Sequence, residues 1–303
     1  MLLRSMVFRS SVLARTAARC SVSAIVPLGL VALLFVPRVG EAQIRPARWQ
    51  RSSEATAIPI TVFHSPQSAN LPTAETLQRG ELQFEISHRF VPTFSDGVDA
   101  LWGLDGPVFI RLGLAFAFHD RGMITLQRSN LDDNLDLNVK LRLFEAGRGS
   151  VPFMIAIAGG LAGNDAPVLP DGSTRPGQYY GQLIINAFLG DNVALGVVPS
   201  VLRNPRLDAP DVETAFSVGL TGQVYVSQHV SVLAEWNLSE ERVGLEHDAG
   251  SFGIELETGG HFFKLLVTNT VRINPAQFLG GTPFSFDPDE WRFGFNVTRL
   301  LHF

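Results

Sequence analysis

From about residue 80 onward the chain alternates. In 135–143, Leu135, Leu137, Val139, Leu141 and Leu143 share one parity, and Asp136, Asn138, Lys140 and Arg142 share the other. Successive side chains of a strand point to opposite faces, so this run makes a strand with one apolar and one polar face. Residues 82–90 repeat the pattern, with Leu82, Phe84, Ile86 and Phe90 against Gln83, Glu85, Ser87 and Arg89. So does the eighth segment, with Phe216, Val218, Leu220 and Val224 against Ser217, Gly219, Thr221 and Gln223. Twelve segments of this kind are predicted, near 81–91, 106–118, 122–129, 134–144, 151–161, 178–189, 192–202, 213–226, 229–239, 250–258, 261–270 and 290–303. No apolar stretch of spanning-helix length follows residue 42. Two folds fit this alternation. One is a soluble sandwich with one buried face. The other is a closed barrel with lipid outside and a polar lumen inside, because only helices and closed barrels satisfy every backbone group in lipid.

The connections separate the two. Odd-to-even connections are mostly long (92–105, 162–177, 203–212, 240–249 and 271–289), with 129–134 the short exception. Even-to-odd connections are mostly tight, as at His119-Asp120-Arg121, Leu189-Gly190-Asp191, Ser227-Gln228-His229 and Thr258-Gly259-Gly260. Short turns on one rim and long loops on the other are expected of an outer-membrane barrel, whose even strand number returns both termini to the periplasmic side. A sandwich has no reason to sort its loops by parity. The fold class expected is therefore all-β, a closed antiparallel transmembrane β-barrel of about twelve strands over residues 78–303.

The termini agree with export. Arg4, Arg9, Arg15 and Arg19 precede an apolar run from Ser21 to Val36, and small residues at Gly40 and Ala42 precede Gln43. This reads as a cleaved secretory signal peptide over 1–42, which places the mature chain in the Gram-negative envelope, at the outer membrane. Cys20, the chain's single cysteine, lies within that segment, so no disulfide framework is available to the mature chain. Losing five Arg and one Glu moves the formal charge from −5 to about −9. Only Lys140 and Lys264 are lysines. This acidic balance excludes a nucleic-acid partner. Residues 43–77 are rich in Pro, Ser, Thr and Ala, with no sustained period. They read as a periplasmic linker or a short plug, in which IPITVF (58–63) is an edge strand or lies inside the pore. At the other end Phe303 closes a strand whose apolar parity holds Leu301, Val297, Phe295, Phe293 and Trp291, interrupted by Arg299.

Four stretches carry a family resemblance: TAETLQRGELQFEISHRF (73–90), GLDGPVFIRLGLAFAFHDRGMITLQRS (103–129), TGGHFFKLLVTNT (258–270) and FGFNVTRLLHF (293–303). In this order they resemble an uncharacterised bacterial outer-membrane-type β-barrel family, a domain of unknown function. Its motifs fall here on His88, Arg89, Phe90, His261 and the terminal Phe303. The resemblance implies an exported barrel and an assembly route through the outer-membrane barrel machinery, which recognises a terminal aromatic strand. It implies no activity.

The polar parity carries the candidate chemistry. Glu85, Arg89, Arg111, Asp136, Lys140, Arg142, Glu235, Glu255, Glu257, Lys264 and Arg292 fall on predicted strand faces and would line the lumen, where mixed charges set pore selectivity or pair to close it. His88 and His261 fall toward opposite ends of the wall, too far apart to hold one haem or metal ion. Without a Cys-x-x-Cys-His sequence, covalent haem attachment is excluded. His229-Val230-Ser231 puts a base and a hydroxyl on one strand face, the spacing an outer-membrane lipid hydrolase would need. Its turn position and the lack of an orienting Asn argue against that use. Clustered carboxylates at Asp132-Asp133, Glu240-Glu241, Glu246 and Asp248 match no EF-hand spacing. No catalytic residue, metal or cofactor is assigned, and the chain is not expected to be an enzyme. The expected function is a passive pore or transport-associated, porin-like barrel for small solutes, in contact with outer-membrane lipid. The alternatives are a non-conducting structural or partner-binding barrel of an envelope redox or haem complex and, third, a lipid hydrolase.

Overall fold

The computed structural model describes residues 60–147 and 151–301. The predicted signal peptide and the terminal Phe303 lie outside these residues. Twelve strands are present: β1 (Leu82–Phe90), β2 (Val108–His119), β3 (Gly122–Ser129), β4 (Leu135–Ala146), β5 (Phe153–Gly163), β6 (Gly177–Leu189), β7 (Val193–Arg203), β8 (Thr214–Tyr225), β9 (Val230–Ser239), β10 (Ala249–Glu257), β11 (His261–Thr268) and β12 (Arg292–Leu301). Each pairs antiparallel with its sequence neighbours, and β1 pairs with β12, so the sheet closes on itself. Across that seam Ser87 stands opposite Asn296, and on its other side Ser87 stands opposite Arg111. The strands run from 8 to 13 residues, around the roughly 9–11 that a tilted strand needs to cross a hydrocarbon layer. Closure removes every sheet edge that lipid would leave unpaired.

The period-two pattern sorts as expected, with apolar side chains outward. Leu137, Val139 and Leu141 of β4 are exposed, while Asp136 and Lys140 on the other parity are buried. Beyond Met154 the lumen face of β5 is built from small residues, Ala156, Ala158, Gly160 and Ala162, and leaves room for larger groups from elsewhere. At Gly160 a Cβ would come within 2.4 Å of the Tyr180 ring, so glycine is what lets that ring lie flat against the wall. Irregularities in the β2–β3 and β4–β5 pairings, at Ala117/His119 and Arg142/Phe144, fall at the short-turn rim, where bulges commonly end a ladder. Arg299 breaks the outer apolar parity two residues before β12 ends and is exposed there, opposite Phe84 and His261. A charge on the lipid face costs least at such a rim. The long-loop rim carries an aromatic cluster in which Phe286 touches Trp236, Phe252 and Trp291 at 4.6, 6.2 and 5.8 Å between ring centroids. Such girdles mark the membrane interface.

Two segments outside the strands occupy the interior. Residues 60–77 enter from the short-turn rim, turn back on themselves and leave at the same rim into β1. The turn is closed by Ser68 N donating to Leu71 O at 2.8 Å and Thr73 N to Pro66 O at 3.0 Å. The return is fixed at the rim by Thr76 Oγ1 donating to Asp120 O at 2.7 Å and by Arg79 N donating to Asp120 Oδ1 at 2.9 Å. We call this hairpin the finger. From the opposite rim the β11–β12 loop folds inward through a short helix, α1 (Pro275–Phe278), with Ile273, Ala276, Phe278 and Leu279 buried. Leu71 of the finger and Phe278 of the loop share one apolar cluster with Ala249.

Two substitutions test this wall. Val139→Arg puts a charge on the lipid face in the middle of β4 and should destabilise the barrel by about 2–4 kcal/mol. Arg299→Leu at the rim should change stability by less than about 1 kcal/mol. Urea titration of protein folded into vesicles, followed by heat-modifiable migration in detergent gels, measures both.

Candidate functional site

The lumen holds the candidate site, and it is assembled from both the wall and the finger. Glu235 on β9 organises the finger's tip. Its Oε2 accepts hydrogen bonds from Ala69 N, Asn70 N and Leu71 N at 3.1, 2.9 and 3.0 Å, and its Oε1 accepts one from Asn70 Nδ2 at 2.6 Å. Three successive amides in a tight turn point the same way, which makes them a natural cradle for one carboxylate oxygen. Opposite in charge, Lys264 on β11 donates to Ser65 Oγ, Gln67 O and Ser68 O at 3.0, 2.5 and 2.8 Å. Lys140 on β4 donates to Pro66 O and Thr73 O at 2.7 and 2.9 Å. The only two lysines of the chain thus both bind backbone carbonyls of the finger. An ammonium can satisfy several carbonyls at once, since it carries three donors on a flexible stem.

Neighbouring side chains complete the hold. Arg89 donates through Nη2 to Asn70 Oδ1 at 2.9 Å, and Asn296 Nδ2 donates to Ala69 O at 2.8 Å. Thr221 Oγ1 donates to Ser68 Oγ at 2.9 Å. His64 Nδ1 lies 2.9 Å from Glu255 Oε1, whose carboxylate also takes Gln223 Nε2 at 2.7 Å and faces Lys264 Nζ at 3.3 Å. Within the finger Glu75 accepts from Val62 N and Phe63 N at 3.0 and 3.1 Å. Apolar contacts close the base of the finger, where Val62, Phe63 and Ala74 pack with Met154, Ala156, Ile184, Ala194, Val198 and Tyr225. Leu71 rests on Gly219, where a Cβ would come within 2.5 Å of its methyl.

The remaining predicted lumen residues serve the wall and the inner loop. Arg111 pairs with Glu85 through Nη2 and donates through Nη1 to Ile273 O at 2.9 Å. Asp136 receives Tyr180 Oη at 2.9 Å and Gln127 Nε2 at 3.2 Å. At the short-turn rim Glu257 caps Gly260 N at 2.8 Å, and Arg142 donates to Asp120 O at 3.0 Å with Glu75 3.9 Å away. At the long-loop rim Arg292 donates to Val91 O at 2.9 Å and lies 3.7 Å over the Phe284 ring. All eleven therefore lie on the inner face or its rims, ten buried and Arg142 half-buried. The finger residues that engage them carry little sequence signal, because Gln67, Ala69 and Leu71 act through backbone groups and Ser65, Ser68 and Asn70 are ordinary linker residue types.

Other candidates are not brought together. His88 and His261 both lie on the outer face. His88 stands opposite Phe295 and stacks on it at 4.4 Å, while His261 stands opposite Arg299, four residues further along β12. Four residues of strand separate them by about 13 Å along the wall. Phe90 contacts Phe295 at 6.4 Å. His229 turns toward Glu257, with Nδ1 3.1 Å from its carbonyl oxygen, whereas Ser231 is buried and takes Gln223 Nε2 at 2.7 Å. Among the described residues no hydrogen bond joins His229 to Ser231. The loop carboxylates have local partners: Arg128 for Asp133 at 2.5 Å, Arg242 for Glu240, Gly244 N for Glu246 at 2.6 Å, and Trp236 Nε1 for Asp248 at 3.0 Å. At the long-loop rim a cavity of about 260 Å³ is bordered by Asp132, Arg206, Asp208 and Arg272. Burial raises the Asp132 carboxyl and lowers the Arg272 guanidinium, and the attraction between the two opposes both shifts.

The fold and this lumen define a membrane β-barrel that carries a segment of its own chain inside. The chain belongs to the family described as "Membrane bound beta barrel domain (DUF5777)", whose model matches residues 63–301 and so takes in most of the finger. Among solved structures the chain is similar to the KdgM porin (TM-score 0.44, 10% identity, covering 74% of this chain and 99% of that one). It is also similar to the NanC porin (0.47, 7%, 73% and 99%). A third is an outer membrane channel from Pseudomonas putida F1 (0.42, 12%, 75% and 98%). The comparison with curated proteins found no match.

Two variants should free the finger. Glu235→Gln leaves one acceptor oxygen facing four donors and should weaken the seating of the tip by about 2 kcal/mol or more. Gly219→Val displaces Leu71 without touching a charge. In both, protease added to the folded protein should cut within 60–77 faster than in wild type, while heat-modifiable migration persists. Equal cutting rates would show that neither contact holds the segment.

Proposed function

We propose that the protein is an outer-membrane pore for small solutes, delivered by a cleaved signal, in which residues 60–77 are a resident plug that sets the bore. The observation that carries this reading is the nature of the hold on the finger's tip. A lumen meant only to be filled is stabilised at least as well by apolar side chains as by buried ion pairs. Here the tip is held by carboxylate-to-amide and ammonium-to-carbonyl bonds from Glu235, Lys264 and Lys140. Water can replace such bonds one by one as the segment shifts, which an interdigitated apolar core does not allow. Barrels of about 8 strands are filled by their own side chains and those of 16–18 leave a channel. Twelve strands leave a lumen that a two-stranded hairpin can occupy, so bore is governed by the hairpin.

On this reading the wall charges act first as anchors and only then as selectivity groups. No catalytic residue takes part. The second reading, a non-conducting structural barrel, is favoured by the occupied interior itself, where the finger and the β11–β12 loop meet at Leu71 and Phe278.

Planar bilayer recordings separate the two. Wild-type protein should give at most small, infrequent conductance steps, and Glu235→Gln should give larger or more frequent ones. Silence in both proteins, with correct heat-modifiable migration, would overturn the pore reading in favour of the structural one.

A further inference from the structure

The finger is held unevenly. Its anchors come from Thr221 on β8, Glu235 on β9, Glu255 on β10, Lys264 on β11, Asn296 on β12 and Arg89 on β1. Among the described residues, Lys140 is the one side chain of β2–β5 that hydrogen-bonds the tip (65–72). The tip therefore lies against one side of the barrel and leaves space on the other. That space is a cavity of about 60 Å³ between Pro66, Gln67, Asn70 and Pro72 of the tip and the wall from β1 to β6. It is enough for a handful of waters.

The lining of this space is chemically distinct from the anchored side. On the wall it presents Gln83, Thr125, Gln127, Asn138 and Gln182, set among the apolar Ala115, Met123 and Ala158, with Pro275 of the inner loop beside them. The polar groups are amides and a hydroxyl, none of them ionisable. The two charges that border it are both satisfied elsewhere: Glu85 by Arg111 and by Ser87 Oγ at 2.7 Å, and Lys140 by the carbonyls of Pro66 and Thr73. Toward the short-turn rim, below the same sector, a wider cavity of about 670 Å³ opens between Ile60, Thr61, Arg121, Pro152 and Met154. Between the two, Arg142 reaches toward Glu75.

Resting on the pore reading above, we propose that solute passes with the finger in place, along a lane between its tip and the β1–β5 wall, and that this lane takes small neutral polar molecules rather than ions. Amides supply both donors and acceptors, and so exchange bonds with hydroxyl, amide or urea groups at little net cost. An ion entering so narrow a space must shed water against walls that offer no free counter-charge.

The mature chain has no cysteine, so introduced thiols report cleanly. Two variants are reconstituted in vesicles, and swelling in urea or glycerol is compared with potassium chloride flux. Ser68→Cys/Thr221→Cys joins tip to wall where the two hydroxyl oxygens are 2.9 Å apart, and is read oxidised and reduced. Thr125→Cys is treated after folding with a small methanethiosulfonate, with the lipid-facing neighbour Leu126→Cys as control. The expected result is wild-type urea and glycerol passage in the oxidised form, little salt flux, and a several-fold loss on modifying Thr125→Cys only. Passage that disappears on oxidation and returns on reduction would mean that the finger must leave, overturning the lane but not the pore. Unchanged passage through modified Thr125→Cys would likewise overturn the lane alone. Salt flux equal to that of urea would overturn the selection for neutral solutes. No passage in any form would remove the pore reading and the lane with it.

Discussion

The carboxylate of Glu235 is the fixed point of the lumen. It is buried on β9 and takes three successive backbone amides and one side-chain amide from residues 69–71. A buried carboxylate is costly unless its oxygens are hydrogen-bonded, and a buried turn is costly unless its amides are. Each solves the other's problem. Without that charge the tip would present three unpaired N–H groups to the wall, and without the tip the wall would carry an unpaired anion. Lys264 and Lys140 do the reverse on the carbonyl side, so the hairpin's outward donors and acceptors are divided between charges of opposite sign.

This arrangement explains the composition of the wall. Strands in lipid need an apolar outer face whatever the lumen holds, so the inner face alone is free to vary. Where the finger packs without bonds, that face is apolar or small: Met154, Ala156, Ile184 and Val198 at its base and Gly219 beneath Leu71. Where the finger needs bonds, the face is charged or amidic. Where neither is needed, around Thr125 and Gln127, it is polar and uncharged. Three kinds of lumen surface on one barrel follow from one occupant.

Much of the wall was legible in the sequence because alternation and turn chemistry are local. Leu137, Val139 and Leu141 face outward and Lys140 inward by period alone, and the tight turn at Gly259-Gly260 places two glycines with φ of 65° and 88° where such a turn needs them. The strand ends fall within a few residues of where the pattern breaks. The charged lumen set could be read for the same reason. What those charges bind could not. The finger reaches Glu235 and Lys264 across more than a hundred residues of chain, mostly through backbone atoms, which every residue type supplies. Ser68 and Asn70 look like ordinary linker residues until the barrel closes around them. The inward fold of the β11–β12 loop is hidden in the same way, since Arg111 and Asn134 capture it through Ile273 O and Asn274.

The two occupants of the lumen are not independent. Leu71 and Phe278 share a buried cluster, and Arg111 joins Glu85 on the wall to Ile273 in the loop. A displacement of the loop at the long-loop rim removes the apolar cover from the tip of the finger, while Glu235 still holds its amides. The polar anchors resist withdrawal toward the short-turn rim, and the loop resists advance toward the long-loop rim. The finger is therefore clamped between one restraint of charge and one of packing. The two differ in kind: changes of solvent or temperature that weaken apolar contact act on the second. The charged restraint sits near mid-strand, at Glu235, Lys264 and Lys140, and the apolar one joins it directly at Leu71, whose own amide Glu235 holds.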